Sequence, residues 1–334
     1  MRPKPNPYSQ DTARGMTLAV SAPGSTMIAG EHAVLHGKHA LVGAVDQRVQ
    51  VTLTPRDDDA IAIHSVLGHR KMPRNTIDAS KPFHFIGAIL ESRQNAFPSG
   101  FTLNITADFP SDVGLGSSSA VTVATLAVIN LWLTGTFPSR DSLMQDAVAI
   151  IRHVQGMGSG ADAAAAVWGG ILLYRATPEV VARHEKALPP LSLVYAGYKT
   201  PTPEVIQIVE TQRARTPDGH AALYEQINTN ALEANEALHA NNLDTLGDTL
   251  RAGQHLMEAL GVCDDTLAEI VETMNRMPHI YGAKISGSGL GDCVLGIGTL
   301  NAIEWPYREI PIHFSANGVK QEESKTPKQG TASE

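Results

Sequence analysis

The chain has 334 residues, 43% of them hydrophobic and 18% charged, enough apolar surface for a sizeable core and too patterned a composition for a disordered chain. Its formal charge of −8 argues against nucleic acid as the main partner, and it requires that any phosphorylated ligand be held by local N–H groups, a metal and a few cations. The two cysteines, Cys263 and Cys293, stand far apart with no CxxC spacing, and the thirteen histidines contain no HExxH, which fits neither a disulfide framework nor a zinc site.

In chain order, residues 1–16 read as a loose, proline-containing arm without the apolar run of a signal peptide, so a cytoplasmic location is expected. Residues 17–22 read as a strand stopped by Pro23-Gly24. Residues 48–54 alternate cleanly, with Val49, Val51 and Leu53 on one face, and residues 60–64 look like the hairpin partner across the polar turn at 56–59. Residues 83–95 have a helical period. Phe101, Leu103 and Ile105 mark a strand closed by Pro110. The apolar stretch near 119–133 is too short and too rich in threonine to span a bilayer, so no membrane partner is expected. Residues 141–154 form an amphipathic helix capped by Ser139 or Asp141. Strands at 171–174 and 191–196 flank a proline-marked boundary at 177–190. This divides the chain into a first domain at 17–185 and a second at 186–316. Residues 203–277 are mostly helical, with breaks near Pro217-Asp218-Gly219 and Gly261. Their apolar face reads as domain core, with a homodimer contact as the alternative. Strands follow at 283–286, 292–298 and 310–314, and residues 317–334 read as a disordered polar tail.

The chemistry concentrates in Asp112-Val113-Gly114-Leu115-Gly116-Ser117-Ser118-Ser119-Ala120, which runs straight into an apolar helical pattern. Gly114 and Gly116 let the backbone turn tightly and approach a ligand without a Cβ in the way. The serines open a helix whose first N–H groups have no partner inside it, an end that attracts anions, phosphates above all. An ordinary loop with a serine N-cap is the plain alternative. Walker A is excluded, because no Gly-Lys-Ser/Thr follows.

Two other stretches keep it company: Ala22-Pro23-Gly24 with Gly30-Glu31-His32-Ala33-Val34-Leu35-His36-Gly37-Lys38, and Lys284-Ile285-Ser286-Gly287-Ser288-Gly289. On these three motifs the chain resembles the galactokinase, homoserine kinase, mevalonate kinase and phosphomevalonate kinase superfamily, over roughly residues 17–300. The first motif looks most like the mevalonate kinase form. Gln155-Gly156 through Gly160 ahead of Asp162, and Gly291-Asp292-Cys293, lean toward phosphomevalonate kinase. The resemblance implies an α+β fold of two domains. The N-terminal, ATP-binding domain would be related to the second domain of ribosomal protein S5, the C-terminal domain would be ferredoxin-like, and the active site would lie between them.

It also implies roles for residues. The amides of Val113, Gly114, Leu115, Gly116, Ser117, Ser118 and Ser119 would cradle ATP, and the Ser118 hydroxyl would ligate Mg²⁺, a hard cation that takes oxygen ligands. Asp162 would be the catalytic aspartate, accepting or orienting the proton of the attacking hydroxyl; a helix N-cap is its plain alternative. Glu31, His32, Lys199 and Thr202 would lie at the acceptor, a small-molecule alcohol. Gly287, Ser288 and Gly289 would support the phosphate loop. The chain departs from the family in two places. Ser25 stands where mevalonate kinases usually carry a lysine, and Ile151 where a second metal-binding glutamate often lies. Lys199 or Lys284 is the candidate for the missing charge. The expected reaction is ATP- and Mg²⁺-dependent transfer to the 5-hydroxyl of mevalonate. The alternatives are a phosphomevalonate or other sugar or polyol kinase, or a nucleotide sensor without turnover.

Overall fold

Two long strands, β1 (Leu18–Ala29) and β2 (Ala40–Pro55), form the spine of the first sheet. They belong to a computed structural model that describes residues 16–110, 113–176, 179–184, 186–300 and 305–323. Residues 1–15 of the expected arm, Asp112 and the tail from residue 324 lie outside the described residues. After β2 come β3 (Ala60–Ser65), β4 (Gly68–Pro73), α1 (His84–Arg93), β5 (Phe101–Ala107), α2 (Ser117–Thr134), α3 (Arg140–Gln155), α4 (Ala161–Trp168), β6 (Ile171–Ala176) and β7 (Glu179–Arg183). Among the described residues the sheet order is β12-β1-β2-β5-β3-β4, where β12 is Lys320–Glu322. β2 is long enough to serve two partners: residues 49–55 pair with β5, and residues 40–43 with β6, which carries β7 at its edge.

β1 does not stop at Pro23-Gly24. The strand runs on through a register shift between Pro23 and Ser25, and such a bulge accommodates a proline that has no N–H to give the ladder. Nor do β2 and β3 form a hairpin. β5 lies between them, antiparallel to β2 and parallel to β3. The turn expected to join the two strands instead binds the backbone ahead of β5, through Arg56 N–H to the Gly100 carbonyl at 2.9 Å and Gly100 N–H to the Asp58 carbonyl at 2.8 Å. The boundary at 177–190 contains an edge strand, β7, which its prolines conceal.

α2 packs on β1 and β2 and against α1, α3 and α4. It is the one described helix long and apolar enough to cross a membrane, yet 67% of it is buried inside the protein. A helix apolar on nearly every side is the central helix of a core. α3 follows the sequence expectation, with Ser139 as the cap accepting from Ser142 N–H at 3.2 Å.

The second sheet is antiparallel, in the order β11-β8-β10-β9, from β8 (Leu191–Lys199), β9 (Ile280–Ser286), β10 (Gly291–Gly298) and β11 (Arg308–Ile310). The helices α5 (Thr202–Arg215), α6 (Pro217–His239), α7 (Leu243–Ala259) and α8 (Asp265–Asn275) belong with it, and Val194, Tyr224, Met257, Ile270 and Ile285 share its core. The helical region has a break at 240–242 in addition to the two expected. Each of α7 and α8 opens on its own side-chain cap, Asn242 and Asp264.

The chain then returns to the first sheet. Phe314 bridges to Val45, and Ile312 and Phe314 join the first core. β12 pairs with β1, Ala19 opposite Glu322. The tail reading from residue 317 is therefore corrected for 317–323. Lys320–Glu322 fill the open edge of β1 with backbone hydrogen bonds, Val319 is buried in the first core, and Arg48 Nη2 donates to the Gly318 carbonyl at 2.8 Å. The last strand is β12, not 310–314. A Cβ on Gly43 would stand 2.2 Å from Cε1 of Phe314. Gly43→Ala is expected to cost about 1–3 kcal/mol by overpacking, read as a lowered denaturation midpoint, with part of it recovered when Phe314→Leu is added.

Candidate active site

The bulge in β1 does structural work at one point. It frees Ser25 N–H to donate to the Leu115 carbonyl at 3.1 Å, binding the strand to the glycine loop ahead of α2. A Cβ on Gly24 would stand 2.7 Å from that same carbonyl, so strand and loop touch through backbone. Gly114 and Gly116 take the left-handed conformation, φ 68° and 61°, as the sequence required. Gly116 occupies the cap position of α2, and no side chain caps the helix. The serine-cap alternative does not hold: Ser117, Ser118 and Ser119 lie inside α2, its opening N–H groups have no side-chain partner among the described residues, and this end of the helix lines a cavity of about 480 Å³.

Gly114 through Ser119 line that cavity, together with Ser25, Glu31, His32, Asp162, Lys199, Thr202, Gly287 and Ser288. Of the residues expected at the site, Val113 and Gly289 do not reach its wall. Val113 is buried in the core and its carbonyl accepts from Cys293 Sγ at 3.2 Å. Gly289 packs so closely that a Cβ would stand 2.4 Å from the Val262 carbonyl. Both hold the loops from behind.

Asp162 sits in the first turn of α4, whose cap is Gly160 at φ 89° without a side-chain bond. The carboxylate does not cap its own helix. It reaches β1 instead, where Ser25 Oγ donates to Asp162 Oδ1 at 2.8 Å. Burial pushes the Asp162 carboxyl above the ordinary aspartate range, while the Ser25 hydroxyl and the Lys199 ammonium pull it back. Tyr174, unnoticed in the sequence, braces the turn before α4 by donating to the Ser159 carbonyl at 2.6 Å.

The two sheets meet at this cavity. Ser286 Oγ donates to the Met27 carbonyl at 2.9 Å and lies 2.8 Å from Thr26 Oγ1. His32, in the left-handed region at φ 59°, presents Nε2 to the Ser288 carbonyl at 2.9 Å. A carbonyl can only accept, so Nε2–H is the donor; burial lowers the pKa of the ring. Glu31 pairs with Lys284, both almost wholly buried. Breaking such a pair from one side costs about 3–5 kcal/mol. Glu31 and His32 thus line the cavity with one polar atom each already committed to the seam. Lys284 is ruled out as the free charge of the site, because Glu31 and the Ile285 carbonyl hold it. Lys199, 29% exposed at its side chain, is the lysine on the cavity wall among the described residues. Ile151 also lines the cavity as an apolar wall, and beside Asp162 and the Lys284-paired Glu31 a further carboxylate, Asp292, stands there. Its signal was present in Gly291-Asp292-Cys293, but nothing in the pattern says that this turn folds back onto Gly114.

The uncapped helix end, the two left-handed glycines, the hydroxyl-bonded carboxylate and Lys199 share one cavity where the two sheets meet, an arrangement with the chemistry to receive phosphate. Sequence profiles agree: the GHMP kinase N-terminal domain matches residues 84–170 and the GHMP kinase C-terminal domain residues 234–309. The chain belongs to the GHMP kinases, and is an ATP-dependent phosphotransferase with an alcohol acceptor. It is 30% identical over 280 residues to the mevalonate kinase of Archaeoglobus fulgidus, covering 84% of this chain and 92% of that protein. It is 28% identical to the mevalonate kinase of Methanothermobacter thermautotrophicus, covering 84% and 90%. In fold it is similar to the Methanococcus jannaschii mevalonate kinase, with a TM-score of 0.75 at 22% identity over 90% of this chain and 99% of that one. It is also similar to the Lactococcus lactis galactokinase, with a TM-score of 0.77 at 16% identity over 92% and 95%.

Two predictions follow from the geometry around Ser25. A Cβ on Gly116 would stand 2.0 Å from Ser25 Oγ, so Gly116→Ala, strained and clashing, should lower kcat/KM by at least about tenfold. A base at Asp162 would act as a carboxylate, so activity is expected to rise with pH through its pKa. Ser25→Ala removes the hydrogen bond that pulls that pKa down, and the acid limb of the kcat/KM profile should move to higher pH. An unmoved limb would mean that Asp162 does not set it.

Proposed function

We propose that the chain phosphorylates the 5-hydroxyl of mevalonate, with Mg²⁺ accompanying ATP. The observation that carries the choice of acceptor is the charge of the cavity wall. A phosphorylated acceptor needs several cations, yet Lys199 is the lysine or arginine on that wall among the described residues. The other basic side chains of the flanking motifs are spent elsewhere. Arg48 donates to Ser21, Asn317 and Gly318, and Lys38 pairs with Glu225. This favours an unphosphorylated alcohol over phosphomevalonate, in line with the mevalonate kinases among the relatives.

In this reading the amides of residues 114–119 bind the phosphates of ATP, with the partial positive charge of the α2 N-terminus behind them. The donors near them are oxygens, the Ser118 hydroxyl and nearby carboxylates, which suits a hard cation. No group of three histidine, cysteine or acidic side chains forms a ready-made metal site among the described residues, so phosphate oxygens and water supply most of the ligands. The acceptor oxygen attacks the γ-phosphorus as the bond to the β-phosphate oxygen breaks and ADP leaves with that electron pair. The hydroxyl proton passes to Asp162, whose raised pKa suits a general base. Lys199 offsets the charge spread over the transferring group, the task left open by Ser25. Thr202, at the first turn of α5 on the cavity wall, contacts the acceptor. The arrangement of base and cation also speaks against a sensor without turnover.

ADP release should depend on mevalonate and fall to background with phosphomevalonate or galactose; release with phosphomevalonate alone would sink the assignment. Asp162→Asn should lower kcat by about 10²–10⁴-fold and Lys199→Met by about 10²-fold, with nucleotide still bound.

A further inference from the structure

The start of β10 brings the carboxylate of Asp292 to the phosphate site. Asp292 is 5% exposed and lines the cavity. It lies so close to the glycine loop that a Cβ on Gly114 would stand 2.6 Å from its Oδ1. Its backbone is left-handed, φ 68°, a conformation uncommon for a residue with a side chain and concentrated at functional sites. A carboxylate pressed against a loop that receives phosphate is repulsive unless a cation stands with it. That cation is Lys199, whose Nζ lies 3.2 Å from Asp292 Oδ1. Lys199 ends β8 and faces Gly291 across the ladder, so one sheet fixes both partners. The same ammonium also acts electrostatically on Asp162, pulling its pKa down.

We propose that Asp292 is a positioning residue: its carboxylate holds the Lys199 ammonium over the glycine loop, where the phosphoryl group is transferred, at the expense of some nucleotide affinity. The inference rests on the reading of residues 114–119 as the phosphate site. Without Asp292 the flexible lysine side chain is free to swing toward solvent or onto Asp162, and catalysis loses its placed charge. Nucleotide binding loses only a repulsive neighbour. Binding and turnover therefore respond in opposite directions, which a merely structural residue does not produce.

Asp292→Asn is the suitable variant, since asparagine has the same shape and tolerates a positive φ. ADP binding by calorimetry, kcat, the Mg²⁺ half-saturation and the thermal midpoint are measured for the wild type, Asp292→Asn, Lys199→Met and the double variant. The expected result is ADP bound as tightly or up to about threefold more tightly by Asp292→Asn, with kcat down about 10- to 100-fold. The double variant should be no slower than Lys199→Met alone, because the two residues act as one unit. The proposal is overturned if the two losses multiply, or if kcat is unchanged while only the thermal midpoint falls. It is overturned equally if ADP binds more weakly or the Mg²⁺ half-saturation rises about tenfold, which would make Asp292 a metal ligand. Wild-type protein that binds no ADP would refute the phosphate-site reading itself, and the proposal with it, before any variant is compared.

Discussion

The opening N–H groups of α2 have no side-chain cap, and much of the site is built around that omission. A helix begins with donors that its own backbone does not satisfy, and three consecutive serines offer obvious caps. None is used. The left-handed Gly116 turns the chain so that this end of the helix lines a cavity, and the central position of α2 in the core prevents the end from shifting or fraying. The favourable electrostatics of one helix end are modest, about 0.3–1 kcal/mol per anion and up to about 2 where partly buried. They matter here because the protein as a whole carries net negative charge and offers little else to a phosphate.

The cavity is held open and in register by a seam of short polar contacts between sheets. Thr26, Met27, Glu31 and His32 on one side meet Ser286, Lys284 and Ser288 on the other. Several of these residues also line the site, so the motif that looks like a substrate-binding sequence is partly a hinge plate. A buried pair such as Glu31–Lys284 is weak evidence of stabilisation, since desolvation offsets most of its attraction. Its geometric effect is firmer: it fixes how the third glycine loop approaches the first. The bulge at Pro23–Ser25 works the same way. It costs one ladder bond and gives the strand a second attachment, to Leu115, which carries Ser25 to Asp162.

Charge near Asp162 does not come from its own strand. Ser25 supplies a hydroxyl to Asp162 but no charge. The lysine on the cavity wall ends β8, on the other sheet, and Asp292, at the start of β10, stands beside it. Such an arrangement leaves the spacing of each motif intact, which is why the motifs alone could not reveal it.

The sequence by itself determined the features that depend on near neighbours. These are the glycines that must adopt positive φ, the apolar helix they open, the alternation of the buried strands, a cap at Ser139 or Asp141 and the aspartate set among small residues. Each is decided within a turn or two of chain, where sterics and periodicity act directly. Only the tertiary structure decided what depends on residues far apart: β5 between β2 and β3, the polar segment at 320–322 closing the edge of β1, and His32 and Glu31 held by the second sheet. It alone separated Lys284 from Lys199, two lysines of equal promise in the sequence, because burial against a carboxylate and exposure to a cavity are set by packing, and a linear pattern carries no record of which strand ends meet.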